Sequence, residues 1–229
     1  MAGRPVFADP QEAIADIPDG ATVMIGGFAG RGVPAALVLA LRDKGVRDLT
    51  IICNDVSGGW SGRVDASLLI EAKLVRKVIV SWPAGGSAAN IGAFEAQYRK
   101  GEIELELVPQ GTLAERIRAG GAGIGGFYTP TGVGTPFADG KEQRSFDGQE
   151  YLLELPLHAD FALVRGFRAD VLGNMVYRLA ARNFNPPMCA AADVTVAEVS
   201  EVVPAGSLDP EVIVTPGIYV HRLVIPAPP

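Results

Sequence analysis

The stretch best suited to binding chemistry is a glycine-rich loop within DGATVMIGGFAGRGVP, residues 19–34. An apolar strand, Thr22 to Ile25, precedes the loop, and Pro34 opens a predicted helix that Gly45 stops. Glycines leave backbone N–H groups accessible, and the start of a helix stabilises an anion by roughly 0.3–1 kcal/mol. The pattern predicts a phosphate or carboxylate at this loop, although a tight turn that binds nothing would use the same residues.

Two amide side chains are the best candidates for stabilising a reacting group. Asn54 directly follows a predicted strand at 48–53, and Gln110 follows another at 103–108. Both side chains can donate N–H groups to the negative oxygen that develops during acyl transfer. They are also common caps of loops, so the residues alone leave both interpretations open.

Other chemistries find little support. Neither Ser61 nor Ser87 lies in the G-x-S-x-G pattern of a hydrolase nucleophile. His158 and His221 lie far from each other and from both cysteines in the sequence, which predicts structural histidines and no metal site. The loop glycines have neither the G-x-G-x-x-G spacing of dinucleotide sites nor the spacing of a P-loop.

The elements that must position the loop and the amides alternate along the first part of the chain. Apolar runs of strand length lie at 22–25, 48–53, 77–82 and 103–108, between helical patterns at 13–17, 34–44, 67–74, 90–100 and 113–119. The alternation predicts an α/β fold: an open, mostly parallel sheet with helices on both faces. Ligands bind at the carboxyl ends of such strands, so the four loops that follow them should converge on one site.

The second part of the chain lacks the regular alternation of predicted strands and helices. Residues 120–134 are too rich in glycine for a regular element, and we interpret them as a lid or an inter-subunit loop. A hairpin around Asp147-Gly148 and strands at 161–164, 171–177, 194–203 and 218–225 follow, with a structured turn at 182–187. We therefore predict one domain, 1–229, with a βα-alternating part (1–119) and a strand-rich, partly antiparallel part (120–229).

Net charge, cysteine content and apolar runs indicate which partners and which cellular compartment to expect. The net charge of -6 and the lack of a Lys/Arg block argue against nucleic acid and anionic membranes as partners. Cys53 and Cys189 lack metal or redox spacing and are predicted to be buried thiols of a reducing compartment. No signal peptide or membrane-spanning run is recognisable, so we expect a soluble, cytoplasmic protein.

Five stretches in order resemble one family. The loop matches the signature of family I coenzyme A transferases: Asp-Gly, two free positions, three apolar residues, Gly-Gly-Phe, three free positions and Gly-x-Pro. Residues 109–123, 127–135, 181–192 and 215–224 are similar to the A (alpha) subunit of 3-oxoacid CoA-transferases. The resemblance therefore covers almost the whole chain.

The resemblance implies a transferase that moves CoA from succinyl-CoA or another acyl-CoA to a 3-oxo acid. In the family, a glutamate of the B (beta) subunit forms the covalent intermediate within a Ser-Glu-Asn-Gly motif, which this sequence lacks. No catalytic residue is thus expected here, and activity requires a B subunit, in an α2β2 assembly. CoA is a substrate and not a permanently bound cofactor.

The same resemblance assigns roles to residues. Gln110 becomes an oxyanion donor and Asn54 a neighbour of the reacting acyl group. The CoA-binding residues would be Gly26, Gly27, Phe28, Ala29, Gly30, Arg31 and Gly32. Asp55 departs from the Asn-Asn pair of the family, which leaves the role of this position open.

Signals for the acceptor are mixed. Ser81-Trp82-Pro83 looks like 3-oxoadipate enzymes, and Arg31 or Arg63 could bind the second carboxylate. Residues 84–86 lack an expected arginine and 125–127 resemble short-chain members, so an acetate/acetoacetate enzyme is the alternative. Different-class alternatives are a non-catalytic ligand-binding α/β protein and a sugar-phosphate isomerase, which would need its own acid and base.

Overall fold

The computed structural model of the protein describes residues 3–56, 64–83 and 92–227. In these ranges the strands are β1 (Val6–Phe7), β2 (Thr22–Ile25), β3 (Leu49–Asp55), β4 (Val75–Trp82), β5 (Glu104–Leu107), β6 (Phe127–Thr129), β7 (Gln143–Phe146), β8 (Gln149–Glu154), β9 (Ala159–Arg165), β10 (Arg168–Asp170), β11 (Met175–Val176), β12 (Ala192–Glu198), β13 (Glu201–Val203) and β14 (Arg222–Val224). The helices are α1 (Pro10–Ala13), α2 (Ala35–Lys44), α3 (Ser67–Glu71), α4 (Ala93–Tyr98), α5 (Gln110–Gly121) and α6 (Asn185–Ala190).

One parallel sheet organises the molecule. Its eight strands run in the order β1-β14-β12-β9-β2-β3-β4-β5, and every neighbouring pair is parallel. The predicted α/β fold with a parallel sheet is therefore confirmed. The sheet is larger than the four strands predicted from the first part of the chain, because β1, β9, β12 and β14 also join it in parallel.

Helices cover both faces of the sheet, as predicted. Alternate side chains of β2 show why: Val23 and Ile25 pack with α1–α4, whereas Met24 packs with α5 and α6 on the opposite face. Burial on both faces explains why these strands are continuous apolar runs without polar alternation. For the same reason, β9 and β12 of the second part are apolar runs, whose sequences do not show that they belong to the same parallel sheet.

Among the described strands, antiparallel pairs occur in two small sheets. One contains β6, β8 and β7, and the other contains β11, β10 and β13, in which β10 and β13 are parallel. The predicted hairpin turn is confirmed, since Asp147 and Gly148 have φ values of 49° and 78°. Positive φ at both central residues is what a two-residue hairpin loop of this kind requires.

The prediction that residues 120–134 form no regular element is only partly correct. Helix α5 continues to Gly121, and β6 pairs with β8, so regular structure covers the start and part of the middle of the segment, while residues 130–134 form turns. Close packing accounts for two of these glycines: a Cβ on Gly120 would lie 1.9 Å from the Leu157 carbonyl oxygen, and one on Gly121 would lie 2.9 Å from the Ala190 carbonyl carbon. Gly123 and Gly134 instead adopt a positive φ, which glycine allows without strain.

Two helix starts also differ from the prediction. Helix α5 begins at Gln110, so Thr112 lies inside it and forms no capping box with Glu115. The segment 182–187, predicted as a turn, contains the first residues of α6, with prolines at its start. Proline fits there because the first helical N–H has no intrahelical partner. No described helix combines the length and the apolar character that crossing a bilayer requires.

Candidate functional site

The two predicted amide side chains meet at the carboxyl edge of the sheet. Gln110 Nε2 donates to Asn54 Oδ1 at 2.7 Å, although the residues are 56 positions apart. Asn54 is the penultimate residue of β3 and is 4% exposed, whereas Gln110 is exposed. The pair thus has a buried member that fixes the geometry and an accessible member that can contact a ligand.

Asn54 is held by its neighbours on both sides. Ser81, at the end of β4, places its hydroxyl 2.9 Å from both the backbone oxygen and Oδ1 of Asn54. Asn54 Nδ2 donates to Asp55 Oδ1 at 2.8 Å. With an acceptor-only carboxylate on one side and two donors on the other, the amide of Asn54 has a fixed orientation. This orientation in turn directs the Gln110 side chain.

The start of α5 lies at the same place. Gln110 is its first residue, Pro109 precedes it, and no side chain of the described residues caps this end. The first helical bond is donated by the Leu113 N–H to the Pro109 oxygen. The positive end of a twelve-residue helix and the Gln110 amide therefore lie side by side. This arrangement suits a negatively charged oxygen.

The glycine-rich loop is a tight turn whose own contacts occupy several of its N–H groups. Phe28 and Arg31 exchange backbone hydrogen bonds of 3.0 and 2.8 Å. Gly26 N donates to the Leu163 oxygen, and Ala29 N donates to Asp55 Oδ1 at 3.0 Å. Asp55 therefore links the loop to Asn54, which gives this position a structural role that the sequence left open.

The anion predicted at the start of α2 is a side chain of the protein itself. Glu198 Oε2 accepts from the N–H groups of Ala36 and Leu37 at 2.8 and 3.3 Å. Its other oxygen binds Arg165, and its side chain is 2% exposed. Burial raises the pKa of the Glu198 carboxyl, an effect that Arg165 and the two amides oppose. An internal carboxylate therefore occupies two of the N–H groups at this helix start.

Asn185, which the sequence did not single out as a site residue, fastens the loop to its surroundings. The side chain is fully buried and donates through Nδ2 to the oxygens of Gly32 and Ala181 at 2.9 and 2.8 Å. Its Oδ1 accepts from Arg165 N at 2.9 Å. The polar residues of RNFNPP were the available signal, because a buried Asn needs several partners.

The two cysteines and two histidines of the sequence are not among the described hydrogen-bond partners of the Gln110 and Asn54 side chains. Cys53 and Cys189 are buried, as predicted, and burial raises the pKa of both thiols, that of Cys189 to about 12. His221 Nδ1 accepts from Thr195 N, which fits a structural histidine. His158 lies 4.0 Å from Asp193, a neighbour that the sequence did not indicate. The loop residues 57–59 and 84–87, Arg63 and Ser61 lie outside the described residues.

Comparison with known proteins identifies the family of this chain. The family described as Coenzyme A transferase matches residues 7–225, nearly the whole chain. The chain belongs to the coenzyme A transferase family. It is 50% identical over 212 residues to the A subunit of 3-oxoadipate CoA-transferase from Pseudomonas putida, covering 93% of this chain and 89% of that protein. It is 48% identical to the A subunit of a probable succinyl-CoA:3-ketoacid coenzyme A transferase from Bacillus subtilis, with 97% and 90% coverage.

A solved structure supports the fold of this coenzyme A transferase. The apoenzyme of acyl-CoA transferase YdiF from Escherichia coli O157:H7 superposes with a TM-score of 0.81 at 25% identity. The match covers 98% of this chain and 47% of the YdiF chain. The relatives, which are named as A subunits, imply a partner chain, and the longer YdiF chain has room for a second part of similar size.

The bridging position of Asp55 leads to a first prediction. Replacing Asp55 with alanine in the assembled transferase should lower kcat about tenfold, because Ala29 N and Asn54 Nδ2 lose a shared acceptor. Asp55→Asn keeps an acceptor oxygen and should retain most of the activity. Steady-state kinetics of both variants check this, and equal losses in the two would contradict the acceptor role.

Proposed function

We propose that this chain is the A subunit of a 3-oxoacid CoA-transferase that moves CoA from succinyl-CoA to 3-oxoadipate. The observation that carries the proposal is the Gln110–Asn54 pair at the uncapped start of α5. Gln110 uses one amide N–H on Asn54, and no residue that the structure describes accepts a hydrogen bond from its second N–H. A thioester carbonyl beside Gln110 would gain a preorganised donor for its developing oxyanion.

The covalent steps need a carboxylate that we assign to the partner chain. Its glutamate attacks the succinyl thioester carbonyl and the C–S bond breaks. CoA departs as a thiolate, and a succinyl-glutamyl anhydride remains on the partner chain. The thiolate then attacks the glutamyl carbonyl, which releases succinate and forms a glutamyl-CoA thioester. In the second half of the reaction the same steps run in reverse: the carboxylate of 3-oxoadipate attacks the glutamyl-CoA thioester, and CoA thiolate then attacks the 3-oxoadipyl carbonyl of the new anhydride. This releases 3-oxoadipyl-CoA and regenerates the glutamate. Each addition passes through an oxyanion that Gln110 can stabilise.

We assign the remaining contacts to CoA as a substrate. The loop from Gly26 to Gly32 borders the same edge as Gln110 and exposes Phe28 and Arg31. Phe28 is available to the CoA chain, whereas Arg31 is the residue that the sequence also offered for a second carboxylate. An α2β2 assembly and a reducing cytoplasmic compartment belong to this proposal, supported by the names of the relatives and by two buried free thiols.

A second acceptor is the main alternative within this chemistry. The Bacillus relative, named for 3-ketoacids, is nearly as similar as the Pseudomonas relative, at 48% against 50% identity. Acetoacetate is therefore the acceptor to compare with 3-oxoadipate. Binding without catalysis is the different-class alternative, and it predicts no turnover in any mixture.

The test uses the chain alone and co-purified with the B subunit encoded in the same genome. We expect succinyl-CoA:3-oxoadipate transfer only in the complex, because this chain lacks the glutamate motif. Incubation of the complex with acyl-CoA alone, followed by intact mass spectrometry, should place a CoA adduct on the partner and none on this chain. Activity of the isolated chain, or an adduct on it, would contradict the proposal.

A further inference from the structure

A cavity lies on the other flank of the glycine-rich loop from Gln110. It has a volume of about 410 Å³ and opens at the carboxyl ends of β9 and β12, where Gly166 and Ser200 line it. The loop contributes Arg31, and the segment before α6 contributes Arg178. We propose that this cavity binds the distal carboxylate of a dicarboxylic acyl group, with Arg31 and Arg178 as its guanidinium partners. The inference rests on the proposed function and specifies its substrate class.

Charge is the first argument for an anionic guest. Three arginines line the cavity, but Arg165 is already paired with the buried carboxylate of Glu198. Neither Arg31 nor Arg178 forms a salt bridge with any acid in the part of the chain that the structure describes. The lining of the cavity thus carries two guanidinium groups that no carboxylate of the described residues pairs with. Such a site attracts an anion.

The neighbouring ring restricts Arg178. Its guanidinium carbon lies 5.7 Å from the centre of the Phe167 ring, which also lines the cavity. The same ring has Arg168 at 5.5 Å, so Phe167 holds cations on its surface. A guanidinium that rests on an aromatic ring loses less freedom when it binds a carboxylate. Arg178 is therefore directed at the cavity before any ligand arrives.

The rest of the lining favours a carboxylate on an aliphatic chain. Leu179, Ala180 and Ala181 supply apolar surface beside the two guanidinium groups. A methylene chain can pack on this surface while its terminal carboxylate takes two parallel hydrogen bonds from an arginine. The phosphates of CoA carry several charges and favour a more polar, more cationic lining.

The sheet order sets the span between this cavity and the reacting group. Asn54 lies next to the end of β3 and Arg165 ends β9, with β2 and its loop between them. Two strand spacings correspond to roughly 10 Å. A dicarboxylic acyl group extended across the loop, together with long arginine side chains, fits this span. Acetoacetate has no second carboxylate to reach the cavity.

The test compares acceptors in the assembled enzyme with one saturating donor, acetoacetyl-CoA. In Arg178→Gln we expect kcat/KM for succinate and 3-oxoadipate to fall about tenfold or more. The values for acetate, and for isotopically labelled acetoacetate followed by exchange of its label into acetoacetyl-CoA, should stay within about twofold of wild type. Arg178→Lys keeps the charge without the planar fork and should recover part of the loss. Arg182→Gln is the matched control, because Arg182 does not line the cavity.

Thermal unfolding of each complex separates binding effects from loss of structure. An equal loss for all four acceptors, or a higher KM for acetoacetyl-CoA, would overturn the inference and assign the cavity to CoA phosphate. Unchanged kinetics in Arg178→Gln would also overturn it. A wild-type complex without transfer to any acceptor would instead refute the proposed function, so the two failures are distinguishable.

Discussion

Alanine at position 110 should lower kcat of the assembled transferase by about 10²-fold or more while leaving the KM for acyl-CoA nearly unchanged. The Gln110 amide is held at 2.7 Å from Asn54 at the start of α5, so it is preorganised for an oxyanion that exists only in the transition state. An interaction of this kind affects turnover more than binding. Steady-state kinetics with succinyl-CoA and 3-oxoadipate measures it.

Gln149→Ala is the matched control for this substitution. Gln149 is an exposed glutamine at the start of β8, in the small sheet away from the carboxyl edge of the main sheet. The control should keep wild-type kcat. Full turnover in Gln110→Ala, or the same loss in both variants, would remove the oxyanion role from Gln110.

Replacement of Gly26 by alanine should destabilise the chain by about 1–3 kcal/mol and reduce activity together with stability. A Cβ at this position would lie 1.9 Å from Oδ1 of Asn185, which is fully buried and bonded to three backbone groups. Asn185 has to move, and its partners then lose hydrogen bonds in a buried place. Urea unfolding followed by circular dichroism measures the change in free energy.

Gly125→Ala supplies the comparison for the Gly26 variant. A Cβ on Gly125 would meet no atom within 4 Å, and this glycine does not have a positive φ. Its unfolding free energy should stay within about 0.5 kcal/mol of wild type. If Gly26→Ala were equally well tolerated, Asn185 would have room to move and the loop would not depend on this contact.

Much of the site was predictable because it depends on local patterns and on topology. The strand Thr22–Ile25 and the helix that ends at Gly45 follow from apolar periodicity and from the left-handed φ of 74° that glycine supplies. Parallel strands imply a shared carboxyl edge, which is why Asn54 and Gln110 could be placed together before any contact was known.

The missed features depend on partners that are distant in the chain. Glu198 occupies the start of α2 from 162 positions away, and no local pattern marks it. Strand β9 is an apolar run whose neighbours β2 and β12 cannot be read from its own residues, so its parallel pairing was not foreseen. Asn185 was similarly hidden, because the burial of a polar side chain is decided by elements that pack from elsewhere.

The position of β2 in the sheet also bears on how the chain reaches its native state. β2 lies between β3 and β9, and its pairing with β9 joins Val23 to Phe161. Contacts of such sequence separation close a long loop and slow folding. During synthesis, one edge of β2 stays without its partner until β9 has emerged, and an unpaired apolar strand edge is prone to aggregation. We therefore expect truncations that end before β9 to be insoluble and chaperone-dependent, and the two halves of the sheet to fold as one cooperative unit.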